Sequence, residues 1–434
     1  MTDRLMNILK KYSPIALVYI VSIAVSLLCI LCFGPIEYND TPSYLNAWEN
    51  WSQGKIDTFR TPLYPLFLGT IKSLAGKAWG WVAIVIQYAI FLLSVKYFHK
   101  MAKMLLKDRA ALIVTAFYAI YPTFNSWGNL LLTDSLGLSL CVFFSYACLK
   151  VIMDGSIKHS IVATIILLLL LALRPSSVSL LIPAALSFFL LLLMKEKRMA
   201  GVLGLAGIAI CSVCLLVYSE KVEEKTGVFT PSTVSVANDL TIARMYGYLL
   251  PEAVEDAHLS EVLKENYEKY GQELEEGPVF YGAIGNLMDE FTFTEMKQAV
   301  DNSIRQKPIL WLKALIKRFY LASLTPATRS YTSDLFRVHP LFPINIGMVI
   351  LLLIVYSVLI VAQLFRRRFP VAAFFLAATS LCVIGVSIIG AQHEYSRLIL
   401  PAIPFILIII AHLCQMLGDV IVRANNPNLD IRYK

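Results

Sequence analysis

Two carboxylic acids and three arginines lie near the ends of apolar runs, where together they could transfer a group from a phosphate ester. The acids are Asp40 and Asp134, and the arginines are Arg60, Arg174 and Arg397. A carboxylate can accept the proton of an attacking hydroxyl, and guanidinium groups can stabilise the charge on a departing phosphate. These residue types therefore indicate group transfer from a phosphate-linked donor.

Three of these residues also have simpler structural interpretations. Asp40 precedes Thr41-Pro42, and Asp134 opens an apolar run, so each could cap the N-terminus of a helix. Arg60 precedes a proline-rich apolar stretch and could anchor the chain at the membrane interface. The structural and chemical roles do not exclude one another, so both stay open.

One short loop between two apolar runs is rich in polar groups. It extends from Gln392 to Arg397 and contains His393 and Glu394. It could be a solvated turn, but its ionisable groups also make it a candidate part of the site. The sequence has no Walker loop, no Gly-x-Ser-x-Gly and no His-Glu-x-x-His motif. The six histidines are scattered, which argues against a histidine-built zinc site.

The composition determines the class of elements that position these residues. Of the 434 residues, 57% are apolar and only 16% are charged, whereas soluble domains have about 45–50% apolar and about 25% charged residues. This excludes a soluble globular protein, a disordered chain and a nucleic-acid binder. Because membrane-spanning backbone must satisfy its own hydrogen bonds, the apolar runs predict an all-α polytopic membrane protein.

About ten transmembrane helices are expected from the apolar runs. They lie at residues 13–34, 78–96, 110–122, 130–149, 161–173, 176–194, 199–218, 345–365, 370–391 and 398–418. With the N-terminus inside, every short inner segment carries more Lys and Arg than Asp and Glu, as cytoplasmic loops do. The prediction is a multi-pass protein with both termini in the cytoplasm and the candidate residues on the outer face.

Two long outer segments interrupt the apolar runs. The first outer loop, residues 35–77, contains Asp40 and Arg60 and belongs to an N-terminal membrane module, residues 1–218. The second separates that module from a C-terminal one, residues 345–434, which ends in a short cytoplasmic tail. Both modules should therefore contribute residues to one outer face.

The second outer segment has two parts of different character. Residues 219–307 are acidic and contain heptad-like stretches, which predict a small helical insertion. Residues 308–344 begin with an amphipathic stretch, 308–324, that is typical of a helix lying in the membrane interface. Farther upstream, Pro175 should end a helix at Arg174, which would place Arg174 at the floor of an outward-opening cavity.

All eight cysteines lie in apolar runs, so no disulfide is expected in the outer loops. The pairs Cys29/Cys32 and Cys211/Cys214 are interpreted as small residues within spans rather than a redox or metal motif. The lack of loop cysteines and of a cleavable signal is typical of a bacterial plasma membrane protein.

The first outer loop resembles that of GT-C glycosyltransferases, an integral-membrane superfamily. The nearest group is the protein-O-mannosyltransferase and aminoarabinose-transferase-like group. The residues that carry the resemblance are Asp40, Tyr44, Ala47, Gly54, Arg60, Pro62, Tyr64 and Pro65. Further similar features are Asp134 at the start of a span, Leu173-Arg174-Pro175, Pro308-x-x-Trp311-Leu312 and Arg397 followed by Pro401 and Pro404.

The resemblance implies an activity and a set of roles. Such enzymes transfer a sugar from a polyprenyl-phosphate carrier to a lipid, glycan or protein acceptor outside the cytoplasm, usually with inversion. Asp40 would be the general base and Asp134 a second acid, while Arg60, Arg174 and Arg397 would bind the carrier phosphate. Tyr44, Tyr64, His393 and Glu394 are further site candidates. No cofactor is required, and a divalent cation is left open.

Two other functions share some of these features. A polymerase or ligase of lipid-linked polysaccharide would also need an outer cavity and arginines, but its donor would be diphosphate-linked. A lipid-sugar transporter or flippase is the third alternative. Transporters commonly contain internal repeats and broken helices in both halves, whereas this sequence has no evident repeat and its polar groups are biased to one face.

Overall fold

The chain is built from α-helices and the turns between them. The computed structural model describes residues 13–275, 277–327, 344–364, 370–392 and 394–425. Within these ranges there is no β-strand, and the β-like contacts are isolated bridges between Ile36 and Leu130 and between Pro326 and Asn345. The predicted all-α polytopic class is confirmed.

Helices α1 to α10 occupy the described chain up to Thr226. They are α1 Pro14–Phe33, α2 Thr41–Ser52, α3 Leu63–Ala75, α4 Trp79–Leu105, α5 Asp108–Ile120, α6 Pro122–Ser126, α7 Asp134–Asp154, α8 Ile157–Leu173, α9 Leu181–Leu192 and α10 Arg198–Thr226. The last of these extends eight residues past the predicted boundary at 218. The long outer segment therefore starts as a continuation of a membrane helix.

Helices α11 to α19 occupy the rest of the described chain. They are α11 Val234–Met245, α12 Ala257–Tyr270, α13 Pro278–Glu290, α14 Phe293–Gln306, α15 Pro308–Leu324, α16 Ile346–Leu364, α17 Val371–Gly390, α18 Tyr395–Leu398 and α19 Ile403–Asn425. The helix α15 coincides with the stretch predicted as an interfacial helix.

Seven helical segments of the described chain are long and apolar enough to cross a membrane. They are Pro14–Phe33, Leu63–Leu105, Asp134–Asp154, Pro175–Leu192, Lys195–Thr226, Val371–Gly390 and Leu400–Asp419. Ile157–Leu173 and Ile346–Ala362 are apolar but shorter, and α5 has only 13 residues. All ten predicted runs thus fall on helices, while the number of actual crossings stays a prediction.

The helix α7 forms the centre of the bundle. It packs against α4 on one side and α8 on the other, and its side chains are mostly buried. Its first residue is Asp134. Because a polar group at the start of a central helix is surrounded by neighbouring helix ends, α7 places Asp134 where several loops converge.

The break between α8 and α9 lies where proline predicts it. The α-helix ends at Leu173, Arg174 is extended with φ −148° and ψ 130°, and a 3₁₀ turn then runs from Pro175 to Leu180. Proline restricts the preceding residue to extended conformations, which frees Arg174 from the helix. The side chain of Arg174 can therefore reach toward Asp134 on the neighbouring helix.

The ends of the helices away from Asp40 carry the basic residues. Lys107 at the start of α5 bonds Asp419 of α19 at 2.8 Å, and Lys150 bonds Asp154 within α7 at 2.7 Å. Lys197, before α10, donates to the main-chain oxygen of Ile152 at 2.9 Å. These three basic segments of the described chain therefore lie at one end of the bundle, opposite Asp134.

The helices α11 to α14 form a small unit with its own apolar core, which includes Leu240, Leu263 and Leu287. Arg244 is fully buried within it, and its Nε donates to Asn266 Oδ1 at 2.7 Å. Burial lowers the pKa of Arg244. The guanidinium carbon of Arg244 lies 4.0 Å from the ring centroid of Tyr267. The residues predicted as a helical insertion are thus helical in the structure.

Hydrogen bonds join the insertion to the first outer loop. Thr233 donates from its main-chain nitrogen to the carbonyl oxygen of Thr58 at 2.9 Å, and Ser232 Oγ donates to the carbonyl oxygen of Phe59 at 2.6 Å. These bonds come just before Arg60 in the chain. The insertion therefore covers the loop that carries two of the candidate residues.

The interfacial helix α15 differs from its sequence interpretation at one position. The spacing of Lys313, Lys317 and Arg318 predicts that all three lie on the polar face of an amphipathic helix. Arg318 is instead buried, and its Nη2 donates to the carbonyl oxygens of Ile388 and Ala391 at 2.6 and 2.9 Å. Carbonyls at a helix C-terminus lack intrahelical partners. Arg318 satisfies those at the end of α17 and so supports the loop that follows.

Candidate active site

A cavity of about 590 Å³ opens where the first outer loop, α11 and the loop before α18 meet. Six of the lining side chains carry a carboxyl or guanidinium group: Asp40, Arg60, Arg174, Asp239, Glu394 and Arg397. They come from both membrane modules and from the insertion. The fold therefore brings distant parts of the chain to one place.

Asp40 lies between two arginines. Its Oδ1 accepts a hydrogen bond from Arg60 Nη2 at 2.7 Å, and its Oδ2 accepts one from Arg397 Nη2 at 3.1 Å. Although Asp40 precedes α2, its side chain makes no capping hydrogen bond to that helix. Asp40 therefore occupies the predicted N-cap position, but its carboxylate does not cap the helix and lines the cavity instead.

Arg60 is positioned by the loop around it. Asp57 Oδ1 accepts hydrogen bonds from the main-chain nitrogens of Phe59 and Arg60 at 3.0 and 2.7 Å, a turn typical of aspartate. The Arg60 Nε donates to Ser43 Oγ at 2.7 Å, and the guanidinium carbon lies 4.6 Å from the centroid of the Tyr44 ring. Arg60 is thus held on several sides while its Nη2 reaches Asp40.

Arg397 connects the two acids. Its Nη2 bonds Asp40, its Nε donates to Asp134 Oδ2 at 3.1 Å, and its Nη1 donates to Glu394 Oε2 at 2.7 Å. Only 11% of the Arg397 side chain is exposed. The predicted alternative of a solvated loop therefore does not apply to Arg397, which contacts three carboxylates.

Asp134 and Arg174 form the buried part of this network, beneath the cavity. Asp134 is fully buried, and its Oδ1 accepts from Arg174 Nη1 at 3.2 Å. The N-cap residue of α7 is Thr133, so the capping interpretation of Asp134 is wrong. A Cβ at Gly137, one turn farther along α7, would lie 3.3 Å from Arg174 Cδ, so this glycine leaves room for the arginine. Asp134 does not face the cavity directly and contacts it through Arg174 and Arg397.

Replacing Asp134 with asparagine is expected to destabilise the protein. The change leaves two largely buried guanidinium groups without their shared counter-charge, and losing one partner of a buried ion pair costs about 3–5 kcal/mol. Thermal unfolding of the full chain in nanodiscs would detect this as a clearly lower midpoint. Asp154→Asn, which removes an exposed partner of Lys150 at the other end of α7, serves as the matched control. Equal midpoints for the two variants would contradict the buried network.

The charges of the site control the protonation of Asp40 and Arg397. Burial alone would raise the pKa of Asp40, but the guanidinium groups of Arg60 and Arg397 outweigh it and hold that pKa below its usual value. Burial likewise disfavours charged Arg397, yet the surrounding acids, Asp134 first among them, raise its pKa. Asp40 is therefore a carboxylate at neutral pH, and Arg397 stays a cation.

The remaining predicted site residues differ in their placement. Tyr44 lines the cavity beside Arg60, and burial raises its pKa. Tyr64 is fully buried and does not line the cavity. Its ring packs edge-on against Tyr44, and its hydroxyl donates to Gln87 Oε1 at 2.9 Å. Glu394 lines the cavity. His393 lies outside the described residues.

Several residues at the site were not predicted from the sequence. Asp57 stands three residues before Arg60, and Ser43 stands three residues after Asp40 on α2. Asp-x-x-Arg is a recognisable turn spacing, and a helical i,i+3 spacing relates Asp40 to Ser43. Asn238 and Asp239 lie far away in the acidic insertion, where nothing in the sequence distinguishes them from other polar residues.

No metal site is found in the described part of the chain, since no group of three His, Cys, Asp or Glu side chains is suitably close there. The cavity pairs each of Asp40 and Glu394 with an arginine instead. Its chemistry is that of an anion-binding site beside a carboxylate. The use of a divalent cation, left open by the sequence, is not tested by this geometry.

Comparison with known proteins agrees with the resemblance seen in the sequence. Residues 60–218 match the model of the dolichyl-phosphate-mannose-protein mannosyltransferase family. The matched range begins at Arg60 and includes Asp134 and Arg174, and the predicted resemblance to GT-C membrane glycosyltransferases is confirmed. No curated protein matches the chain.

Several solved structures are similar to the chain, and one is the archaeal oligosaccharyltransferase AglB from Archaeoglobus fulgidus in complex with an inhibitory peptide and a dolichol-phosphate. The sequences are 13% identical, and the TM-score is 0.46. The similarity covers 98% of this chain and 53% of AglB, so the chain spans about half the length of that protein.

Proposed function

We propose that this chain is a membrane glycosyltransferase that moves a sugar, with inversion, from a polyprenyl-monophosphate carrier to an acceptor outside the cytoplasm. The observation that carries the proposal is the carboxylate of Asp40, held between Arg60 and Arg397 on the wall of one cavity. The family match over residues 60–218 supports a donor that is a sugar on a lipid phosphate.

The two arginines are the proposed phosphate-binding groups. Guanidinium groups bind phosphate oxygens through charge-assisted hydrogen bonds. In the structure they bond Asp40, which occupies the donors that a phosphate would take. A carrier phosphate placed between Arg60 and Arg397 shares those donors, weakens their hold on Asp40 and leaves its carboxylate beside the bound sugar.

The transfer step follows from this placement. The acceptor oxygen forms a bond to the anomeric carbon while the bond from that carbon to the phosphate oxygen breaks. The electron pair of the broken bond stays on the phosphate, where Arg60 and Arg397 stabilise the charge. The proton of the acceptor hydroxyl goes to the carboxylate of Asp40, which acts as the general base. Attack opposite the phosphate gives inversion.

Asp134 and Arg174 have positioning roles in this proposal. Asp134 was predicted as a second acid, but it is fully buried and both its oxygens bond guanidinium groups. It fixes Arg397 and Arg174 in place rather than meeting the substrate. Arg174 lines the cavity and is the weaker of the phosphate contacts, since its Nη1 bonds Asp134.

The orientation of the protein is part of the proposal. Three basic segments of the described chain, at Lys107, Lys150 and Lys197, lie at the end of the bundle opposite the cavity, and basic loops stay in the cytoplasm. We therefore place both termini in the cytoplasm of a bacterial cell and the cavity on the extracytoplasmic face of the plasma membrane.

A transfer assay tests the proposed function. Purified full-length protein in nanodiscs is offered polyprenyl-monophosphate sugars, and in parallel diphosphate-linked oligosaccharides, with donor loss and free polyprenyl phosphate as the readouts. We expect consumption of a monophosphate donor. Consumption of diphosphate-linked oligosaccharides alone would instead indicate a polymerase or ligase.

Arg60→Met is expected to reduce turnover by about 10²–10³-fold, since it removes a preorganised donor to the developing phosphate charge. Arg60→Lys should recover little of this, because lysine keeps the charge but not the fork that spans Ser43 and Asp40. Initial rates of polyprenyl phosphate release measure the effect. Lys55→Met, at an exposed lysine of the same loop, is the control and should leave the rate unchanged. An Arg60→Met rate equal to that of the control would contradict the role of Arg60.

A further inference from the structure

Asp239 is a carboxylate of the cavity that has no part in the proposed reaction. It lies on α11, in the insertion, and lines the same cavity as Asp40. Asp40 and Glu394 are both bound by arginines. Within the described ranges, by contrast, no hydrogen bond or ion pair joins the carboxylate of Asp239 to another residue.

Lys297 and Arg318, the two cations that lower the pKa of Asp239, both bond other groups. Lys297 donates to both carboxylate oxygens of Asp301, at 2.7 and 2.9 Å. Arg318 bonds the carbonyl oxygens at the end of α17. Burial raises the pKa of Asp239 against the lowering effect of these two cations, and Asp301 raises it further. None of the described residues therefore occupies the carboxylate oxygens of Asp239, which lines the cavity.

A second and larger cavity, of about 1150 Å³, adjoins the first. Four residues line both: Phe59, Asn238, Tyr281 and Gln392. Gln392 Nε2 donates to Asn238 Oδ1 at 3.1 Å, which joins the insertion to the loop before α18 at this boundary. Asp239 is the next residue of α11 after Asn238 and lines the smaller cavity, into which the larger one leads.

The lining of the larger cavity indicates the kind of molecule that it takes. Among its described lining residues, Lys225 is the only charged one, and it is exposed. The others are aromatic, aliphatic or neutral polar, with hydroxyls from Thr58, Thr241 and Thr294. Such a surface suits a neutral ligand with hydroxyl groups, because an anion would meet almost no counter-charge there.

We propose that Asp239 binds and orients the acceptor by accepting a hydrogen bond from a donor group beside the attacking hydroxyl, whose own proton is left for Asp40, and that this acceptor is neutral and reaches Asp239 through the larger cavity. The inference rests on the proposed transferase function. Asp239 accepts a hydrogen bond from the acceptor, and Asp40 takes the proton in the transfer step. A negative charge near the acceptor hydroxyl also disfavours anionic acceptors.

Asp239→Asn tests the inference in the full chain in nanodiscs. The donor is the polyprenyl-monophosphate sugar that wild type consumes. The acceptor probes are a methyl hexoside and a serine/threonine peptide, both neutral, with a methyl uronide and an acidic peptide as their anionic counterparts. We expect the KM for the neutral acceptor to rise about 10–100-fold, as for a lost hydrogen bond to a charged group. The kcat should change only a few-fold, and the preference for neutral over anionic probes should shrink.

Further measurements separate this role from a structural one. Undecaprenyl phosphate binding should match wild type, and the thermal unfolding midpoint should be equal to or slightly above that of wild type, because burial disfavours the charged form of this carboxylate. Asp239→Glu should recover part of the acceptor affinity. Asp289→Asn, at an exposed carboxylate of the same insertion, is the control and should leave the acceptor KM unchanged.

The outcomes distinguish this inference from the proposed function. An unchanged acceptor KM in Asp239→Asn, or an equal loss of undecaprenyl phosphate binding, would overturn the role of Asp239 while the transferase stands. Donor consumption that neither neutral probe stimulates would overturn the acceptor class. No consumption of any donor by wild type would overturn the function and this inference together. A KM effect with the hexoside alone assigns a glycan acceptor, and one with the peptide alone a protein acceptor.

Discussion

Asp40→Asn is expected to lower turnover by about 10²–10⁴-fold, the range for loss of a general base. The same change should leave the binding of undecaprenyl phosphate intact or make it tighter. In the structure the carboxylate of Asp40 occupies Nη2 of Arg60 and Nη2 of Arg397, so a phosphate has to compete with it for both donors. An amide competes less well. Turnover and phosphate affinity should therefore move in opposite directions.

The measurement pairs the transfer assay with equilibrium binding of undecaprenyl phosphate to the same protein preparation. Glu49→Gln is the matched control, since it neutralises an exposed carboxylate on α2, the helix that Asp40 precedes, and it should change neither quantity. Full turnover in Asp40→Asn at normal folding would remove Asp40 as the base. Loss of phosphate binding in that variant would show instead that Asp40 organises the arginines.

The pH dependence of wild type follows from the same contacts. A base must be deprotonated to act, and kcat/KM reports the pKa of the free enzyme. Because Arg60 and Arg397 hold the pKa of Asp40 below the usual carboxyl value, the carboxylate form persists as the pH falls through the acidic range. We therefore expect kcat/KM to show no acidic limb between about pH 8 and pH 5.

Most of the fold could be predicted from the sequence because membrane helices are specified locally. A long apolar run must form a helix to satisfy its backbone, whatever surrounds it. The break after Arg174 was equally local, since proline restricts its neighbour directly. The inward turn of Arg318 was not predictable, because it depends on the carbonyls at the end of α17, which are distant in the sequence.

In the candidate site, likewise, several residues could be predicted from the sequence, whereas the contacts between them could not. Asp40, Arg60 and Arg397 could be proposed because ionisable residues beside apolar runs are few and costly. Their pairing could not, since the contact between Asp40 and Arg397 joins residues 357 positions apart. Asp239 was missed for a related reason. It lies in an acidic insertion, where one more carboxylate carries no signal until the fold brings it to the cavity.

Arg397 links the parts of the site that face the cavity to those that lie beneath it. Its guanidinium group contacts Asp40 and Glu394 at the cavity and Asp134 below. Each nitrogen serves a different carboxylate, so the fork of the side chain fixes the spacing between them. A single substitution of Arg397 removes a phosphate contact and also breaks the link between Asp40 and the buried pair Asp134 and Arg174.

Arg397→Met is therefore expected to lose both turnover and phosphate binding. The loss of turnover should be at least about 10²–10³-fold, the effect of removing one preorganised donor to the developing charge. Unlike Asp40→Asn, this variant should bind undecaprenyl phosphate more weakly than wild type. It should also unfold at a lower temperature, because Asp134 is left with Arg174 as its single arginine partner and a carboxylate buried without adequate compensation is costly.

Arg397→Lys separates the two roles of this side chain. Lysine keeps a positive charge near Asp134, so stability should largely return, but one ammonium group cannot contact Asp40, Asp134 and Glu394 in the fixed geometry of the fork. Turnover should therefore stay low while the unfolding midpoint recovers. Arg305→Met, at an exposed arginine of α14, is the control for both measurements. If Arg397→Lys restored full turnover, positive charge alone would suffice, and the bridging geometry would have no part in catalysis.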